Sequence, residues 1–323
     1  MARDHVVGVD LGGTNIKVGV VTTSGQVVSS LSVPTEGQGG PDHVISRMVN
    51  AALEVIKVSG LGKDRILAVG IGAPGAMSHK QGLIISPPNL PGWKNVPVRD
   101  MVAKGTGLPA NLENDANAAA YGEFWAGGGR GTNDIVLFTL GTGIGGGVII
   151  DGRLVRGFFD NGAELGHMIV QPGGRLCGCG QHGCVEAYAS AHFTAVRAVE
   201  AVKNGEKSSL KARLDQGLPV ETPHVVEAAN AGDPLASRIW DETCRLLAVA
   251  CVNMQHFSNP QKILLGGGMI GAGKYLLEPI RKYFLEFTWK AAKDYPEIGF
   301  ATLGNDAGFI GAAGLALAEI GGQ

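Results

Sequence analysis

The sequence predicts an α/β protein of two lobes built on mixed sheets. Three observations carry this. A length of 323 residues exceeds what one small core organises and suits two domains of roughly 150 residues each. Apolar strand runs alternate with helical patterns, the mark of α/β layers. A strand, glycine turn, strand pattern occurs twice, in HVVGVDLGGTNIKVGVV and in DIVLFTLGTGIGGGVII, so hairpins interrupt any purely parallel arrangement.

Taken in order, HVVGVDLGGTNIKVGVVTTSGQVVSSLSVP alternates β-branched residues around tight turns and predicts an antiparallel meander of three strands. A helical pattern covers about residues 41–59, followed by a buried strand at 66–71, the loop GAPGAM and the proline-rich loop SPPNLPGWKNVPV. After Leu108 a short strand runs into NDANAAAYGEFWAG, whose alanines favour helix. DIVLFTLGTGIGGGVIIDGRLVRG then repeats the opening pattern, so the second lobe echoes the first. Beyond it the chain turns helical, with a polar, loop-prone interval at about 203–223 and longer amphipathic helices afterwards. QKILLGGGMIGAG is a strand running into glycines, and DAGFIGAAGLALAEI a helix of small residues.

Composition narrows the function. Lys and Arg total 27 against 29 Asp and Glu, so no basic excess points to nucleic acid. Glycine stands at 51 of 323 residues, about double its ordinary share of roughly 7%, and falls in discrete loops that mark turns approaching ligands or backbone. No signal-peptide core and no run of 18 apolar residues is present, which excludes a membrane partner and predicts a cytoplasmic protein. In that reducing compartment the five cysteines do not make a disulfide framework, and Cys244 and Cys251, in the apolar helical pattern CRLLAVACVNM, read as core residues.

The other three cysteines are the most informative feature. Cys177, Cys179 and Cys184 crowd into RLCGCGQHGCVEA, ten residues after His167 in GAELGHM. Thiolates and imidazole are ligands zinc prefers, and four protein ligands leave no open position, so the set reads as a structural zinc site. Gly178, Gly180 and Gly183 let the backbone curl so that the thiols converge. Glu164 lies three residues before the histidine and Glu186 two after the last cysteine, so the metal would hold two carboxylates and an imidazole in fixed relation, groups that bind polyols. The alternative for Glu186 is a cap of the helix that follows.

In GVDLGGTN, Asp10 ends an apolar strand and Gly12, Gly13 and Thr14 follow at once, which is either a phosphate cradle with Asp10 as a ligand of ATP-bound Mg²⁺ or an ordinary hairpin turn. Gly141, Gly143 and Gly146 satisfy GxGxxG but lead into a strand, which rejects a Rossmann fingerprint. Thr142 with Gly143 fits a second phosphate clamp, and Gly267 with Gly268 an adenosine shelf. Asn114 and Asp115 fall where a strand meets a helix, so Asp115 is either a helix cap or the general base that phosphoryl transfer to an alcohol needs, with Asn114 as donor and acceptor beside it. Glu113 reads as a neighbouring surface charge. Asn89, in the rigid SPPNLPGW loop, is a turn residue or a further sugar ligand.

In order and spacing, DLGGTN, GAPG, ENDANAAA, LGTGIGGGVIIDGRLVRG, GAELGH, CGCGxxGCVEAYAS, LLGGG and DAGFIGAAGLA resemble the ROK family of sugar kinases and repressors, most closely its bacterial glucokinases. The resemblance spans nearly the whole chain. It implies an actin-like, hexokinase/ribonuclease H-like ATPase fold whose interlobe cleft closes on ATP and sugar, with residues 1–113 and 306–323 as the small lobe and 114–305 as the large lobe carrying the zinc loop. It implies Asp115 as catalytic base, Asn114, Glu164, His167 and Glu186 as sugar ligands, and His167, Cys177, Cys179 and Cys184 as ligands of structural Zn²⁺. The implied reaction is ATP- and Mg²⁺-dependent phosphorylation of the 6-hydroxyl of glucose to glucose 6-phosphate, with ADP as the other product. N-acetylmannosamine, fructose, mannose or allose as substrate, polyphosphate as donor, and a sugar-sensing protein without turnover stay open. A homodimer or homotetramer is implied. The helix-turn-helix that family repressors place before the first kinase strand is not in the sequence, so no DNA-binding role is expected.

Overall fold

The opening meander forms as its alternation predicts. In the computed structural model, which describes residues 3–87 and 90–320, β1 (His5–Leu11), β2 (Asn15–Thr22) and β3 (Val27–Pro34) pair antiparallel. Then follow α1 (Gly40–Val58), β4 (Ile66–Ala73), the short hairpin of β5 (Ala76–Ser78) and β6 (Leu83–Ser86), α2 (Val98–Thr106), β7 (Ala110–Asn114) and α3 (Asp115–Ala126). GAPGAM, expected as loop, thus supplies a strand residue pair of its own in β5. β4 lies parallel to β1 and β7 parallel to β4, giving the mixed order β3-β2-β1-β4-β7.

Strand alternation assigns each face of this sheet its partner. Val7, Val9 and Leu11 of β1 join Val69 and Ile71 of β4 in a core closed by Val44, Met48, Ala52 and Val55 of α1. These side chains are fully buried or nearly so, each burial other than that of Ala52 contributing about 1.5–3 kcal/mol. The alternate residues Val6 and Ala68 face α10 (Ala307–Ile320), the helix of small residues. That helix lies directly on the strands: a Cβ added to Gly8 would sit 1.8 Å from the carbonyl oxygen of Phe309. It packs as closely on α3, where a Cβ at Gly311 would lie 1.6 Å from the carbonyl oxygen of Ala118. Asp10 shares its face with Val6 and Gly8, which carries its carboxylate to the first turn of α10, against Gly308.

The second half repeats the strand pattern with β8 (Ile135–Leu140), β9 (Ile144–Ile150) and β10 (Arg153–Leu154). After the cysteine loop come α4 (Glu186–Ala189), α5 (Ala191–Lys203), α6 (Lys211–Asp215), α7 (Thr222–Asn230), α8 (Pro234–Ser258), β11 (Lys262–Gly266), α9 (Lys274–Phe287) and β12 (Glu297–Phe300). The sheet order is β10-β9-β8-β11-β12, with β11 parallel to both β8 and β12. The interval expected as loop holds α6 and the start of α7, and α5, α7 and α8 bury Ala198, Val202, Val225, Leu235 and Ile239 together. All five cysteines are free thiols, and Cys244 and Cys251 are buried in α8 as expected.

The chain divides into two compact units made of discontinuous segments. One holds the chain up to Asn133, Gly147–Ala163 and the chain from Ala301 onward; the other holds Asp134–Gly146 and Glu164–Phe300. Among the described residues no helix is long and apolar enough to cross a membrane.

Candidate active site and metal centre

In the first unit, the corner between β7 and α3 is built by three consecutive polar residues with different tasks. Asn114 is the N-cap of α3: its Oδ1 accepts from the backbone N–H of Ala116 at 2.9 Å and of Asn117 at 3.1 Å. The capping role considered for Asp115 therefore belongs mainly to Asn114, whose amide NH₂ is the group it can offer a substrate. Asp115 begins the helix, and its Oδ1 accepts from Ala116 N–H at 2.8 Å. Desolvation pushes its carboxyl above the usual aspartate range, a shift that backbone N–H groups partly offset. Gly72, 3.7 Å from the Asp115 Cα at its virtual Cβ, leaves room for this turn against β4. Glu113 departs from the reading as a surface charge. It is 3% exposed, because it points to the α10 side of the sheet, and its Oε1 accepts from Asn114 N–H at 3.0 Å and Asn117 Nδ2 at 3.1 Å.

Asp10 belongs to the same electrostatic neighbourhood. Burial first and the charge of Asp115 second push its carboxyl up to about 7, with Lys17, its cross-strand partner, acting against both. A carboxylate raised by burial and by a neighbouring carboxylate in poorly solvated surroundings suits a divalent cation with oxygen ligands. The turn after Asp10 is fixed from below and open above. Gly12 N–H donates to the Asn15 carbonyl at 3.0 Å, and the buried Thr35 holds the turn with its hydroxyl on the Gly12 carbonyl at 2.7 Å and its N–H on the Thr14 carbonyl at 2.8 Å. Gly13 and Thr14 are exposed at the tip. Thr35 carried no motif; only its place at the end of β3, opposite the turn, makes it a buttress.

In the second unit, the predicted metal ligands converge. His167, Cys177, Cys179 and Cys184 place their ligand atoms within 4.8 Å of one another. Cys177 Sγ lies 3.8 Å from His167 Nδ1, and Cys179 Sγ 3.7 Å from Cys184 Sγ. A tetrahedron with zinc–sulfur bonds of about 2.3 Å has edges of about 3.8 Å, so the set fits a tetrahedral Zn²⁺. Burial raises the Cys177 and Cys184 thiols above the ordinary range, so thiolates at these two positions call for a cation. The loop is held by Cys177 N–H to the Gln181 carbonyl at 2.8 Å and Gly183 N–H to the Arg175 carbonyl at 2.8 Å. Gly183 has φ of 89°, and any Cβ there would lie 1.9 Å from the Gln171 carbonyl oxygen. Two residues that sequence reasoning passed over also anchor it. The Tyr188 hydroxyl accepts from Arg175 N–H at 2.7 Å, and the Arg175 guanidinium makes two bonds of 2.8 and 2.9 Å to Glu200 of α5.

Glu186 links this loop to the glycine turn after β8. Its Oε2 accepts from Ile144 N–H at 2.8 Å and its Oε1 lies 3.4 Å from Cys177 Sγ, so its side chain points to the β8–β9 turn rather than capping α4. Gly143 lies against that carboxylate, since a Cβ there would stand 2.5 Å from Oε2. Glu164 is exposed and starts the short turn Leu165–His167, with its carbonyl accepting from His167 N–H at 3.0 Å. Asn89 lies outside the described residues.

Thr142 and Gly268 meet in a cavity of about 750 Å³, lined further by His192, Thr222, Val226 and Met269. Gly267, with φ of 84°, turns the chain beneath it against the Leu140 carbonyl. The contributions of α5 and α7 to this wall had no local signal, because they follow from helix packing and not from a motif. A volume of this size, with apolar walls and few polar groups, suits a small organic ligand.

These features are those of a sugar-kinase scaffold, and the comparisons agree. Residues 6–319 match the ROK family, and the chain belongs to that family. It is 40% identical to a glucokinase of Thermotoga maritima over the full length of both chains. The ROK hexokinase of Thermus thermophilus superposes with a TM-score of 0.82 at 34% identity, covering 99% of this chain and 100% of the other. A ROK family glucokinase of Streptomyces griseus, solved with glucose and AMPPNP, gives a TM-score of 0.79 at 36% identity, covering 96% and 98%. The mixed α/β architecture is that of these kinases, the actin-like ATPase class.

Proposed function

We propose that this chain is an ATP-dependent glucokinase, transferring the γ-phosphoryl group of ATP to the 6-hydroxyl of glucose. The observation that carries the reading is the Asp10–Asp115 pair: one carboxylate at a strand end beside an open glycine turn, the other raised by desolvation at the start of a helix. Asp115 accepts the hydroxyl proton as the sugar oxygen bonds to phosphorus and the bond to ADP breaks. Asp10 fits the place of a Mg²⁺ ligand, and that ion, when bound, neutralises phosphate charge. Backbone N–H groups of Gly12, Gly13 and Thr14 and the turn of Thr142 and Gly143 hold phosphates. The cavity lined by Gly268 and Met269 takes the adenosine. Asn114, Glu164, His167 and Glu186 read the sugar hydroxyls, with zinc fixing the loop that bears the histidine and Glu186.

Glucose and ATP are favoured over other hexoses and polyphosphate by full-length likeness to proteins named glucokinase and to the Streptomyces griseus kinase that holds glucose and AMPPNP. The test is an ADP-release assay on a panel of hexoses crossed with ATP, GTP and polyphosphate. The highest kcat/KM falls on glucose with ATP; release of ADP without a sugar requirement, or a clear preference for another hexose, overturns the assignment.

A further inference from the structure

Resting on the kinase reading, one cluster in the first unit has no part in it so far: a partly buried chain of alternating charges, with Glu113 its buried member, that ends at the Asn114–Asp115 corner. Glu113 is the hub. Its Oε2 accepts from Arg156 Nε at 2.5 Å. The same guanidinium bonds through Nη2 to Glu319 of α10. Glu319 in turn lies 3.3 Å from His79 Nε2, while His79 Nδ1 is 2.8 Å from the Leu112 carbonyl, on the residue just before Glu113. The four side chains come from the β5–β6 hairpin, β7, the segment after β10 and α10.

The other end of Glu113 reaches the catalytic corner. Oε1 accepts from Asn114 N–H and from Asn117 Nδ2, one turn into α3. Asn117 is buried, and its own Oδ1 has no hydrogen-bond partner among the described residues. An apolar residue would fill that site without an unpaired oxygen, so the arrangement is better explained by what the amide donates to Glu113 than by packing. We propose that Glu113, clamped by Arg156 and through it by Glu319 and His79, is a positioning residue that fixes the backbone and side-chain orientation of Asn114 and Asp115 for proton abstraction. Glu113 touches no reacting atom. Its effect passes through the strand-to-helix corner, where a displacement on the order of 1 Å costs about 100-fold in rate.

The test uses the full-length protein with Glu113→Gln, which keeps the size of the side chain but removes its charge, and Arg156→Lys, which keeps a cation but not the fork. Both are compared with the parent and Asp115→Asn at a temperature where all four are folded by circular dichroism. Two readouts are taken: kcat and KM for glucose, and the carboxyl ¹³C titration of Asp115, assigned by its loss in Asp115→Asn. Glu113→Gln is expected to lower kcat about 10- to 100-fold with KM changing less than about threefold, and to move the Asp115 titration to lower pH, since a carboxylate charge beside that corner is removed and Arg156 loses one of its two carboxylate partners. Arg156→Lys is expected to lower kcat in the same direction with a smaller effect. Unchanged kcat and an unmoved Asp115 resonance in folded variants overturn the proposal. If the parent itself fails to phosphorylate glucose, the kinase reading falls, and the Asp115 titration alone decides whether Glu113 governs that corner.

Discussion

Asp10 and Asp115 differ in what their surroundings demand of them. The folded-state value of about 7 for Asp10 lies above the ordinary 3.8, so between those values the folded protein binds a proton that the unfolded chain has released. Stability of the metal-free protein therefore falls as pH rises through that window. Asp10→Asn is expected to raise stability in urea at pH 8 by on the order of a few kcal/mol, to give no gain at pH 4, and to abolish turnover with Mg²⁺ and ATP. Equal unfolding midpoints of the two proteins at both pH values would contradict the burial argument. Asp115→Asn keeps the fold and the start of α3, since Asn114 supplies the cap, yet is expected to lower kcat by about 10²–10⁴ with glucose affinity retained by calorimetry. The sequence showed both aspartates because each stands where an apolar strand stops at polar residues. It misplaced Glu113, because strand alternation alone does not reveal that Arg156 and Glu319, distant in sequence, arrive on the same face.

At the scale of elements, the convergence of His167 with the three cysteines was legible, since these residues and the glycines between them are local. Its anchors were not: Tyr188 and Glu200 act across a helix packing that no short pattern encodes. Cys179→Ser removes an exposed ligand and is expected to reduce zinc, measured by plasma mass spectrometry, well below one per chain and to raise the glucose KM about 10- to 100-fold. Wild-type protein purified without zinc, yet with the same glucose affinity, would refute the structural-zinc account. The helix of small residues was also visible in sequence, but the reason for its glycines was not. With the Ala118 carbonyl 1.6 Å from a Cβ at position 311, Gly311→Ala must push α10 off α3, and is expected to destabilise by about 1–3 kcal/mol or more, read as a lower melting temperature. β12 escaped notice because EIGF is four residues long and becomes a strand only by pairing with β11.

For the whole molecule, the repeated hairpin pattern announced two units, while the structure shows that each is assembled from separated stretches, the chain passing from one to the other after Asn133, Gly146, Ala163 and Phe300. Such interleaving leaves no linker signature, so composition could not mark it. It also means that groups distant in sequence are gathered within a unit, as Thr142 and Gly268 are in one cavity. The central claim is that this scaffold moves a phosphoryl group from ATP to glucose. Phosphorus NMR of the purified protein with ATP, Mg²⁺ and glucose measures it directly. The account predicts glucose 6-phosphate and ADP appearing in equal amounts, at a rate of about 1–100 per second per chain, and no signal change with Asp115→Asn on that timescale. ATP left intact, or ADP accompanied by inorganic phosphate in place of the sugar ester, would contradict it.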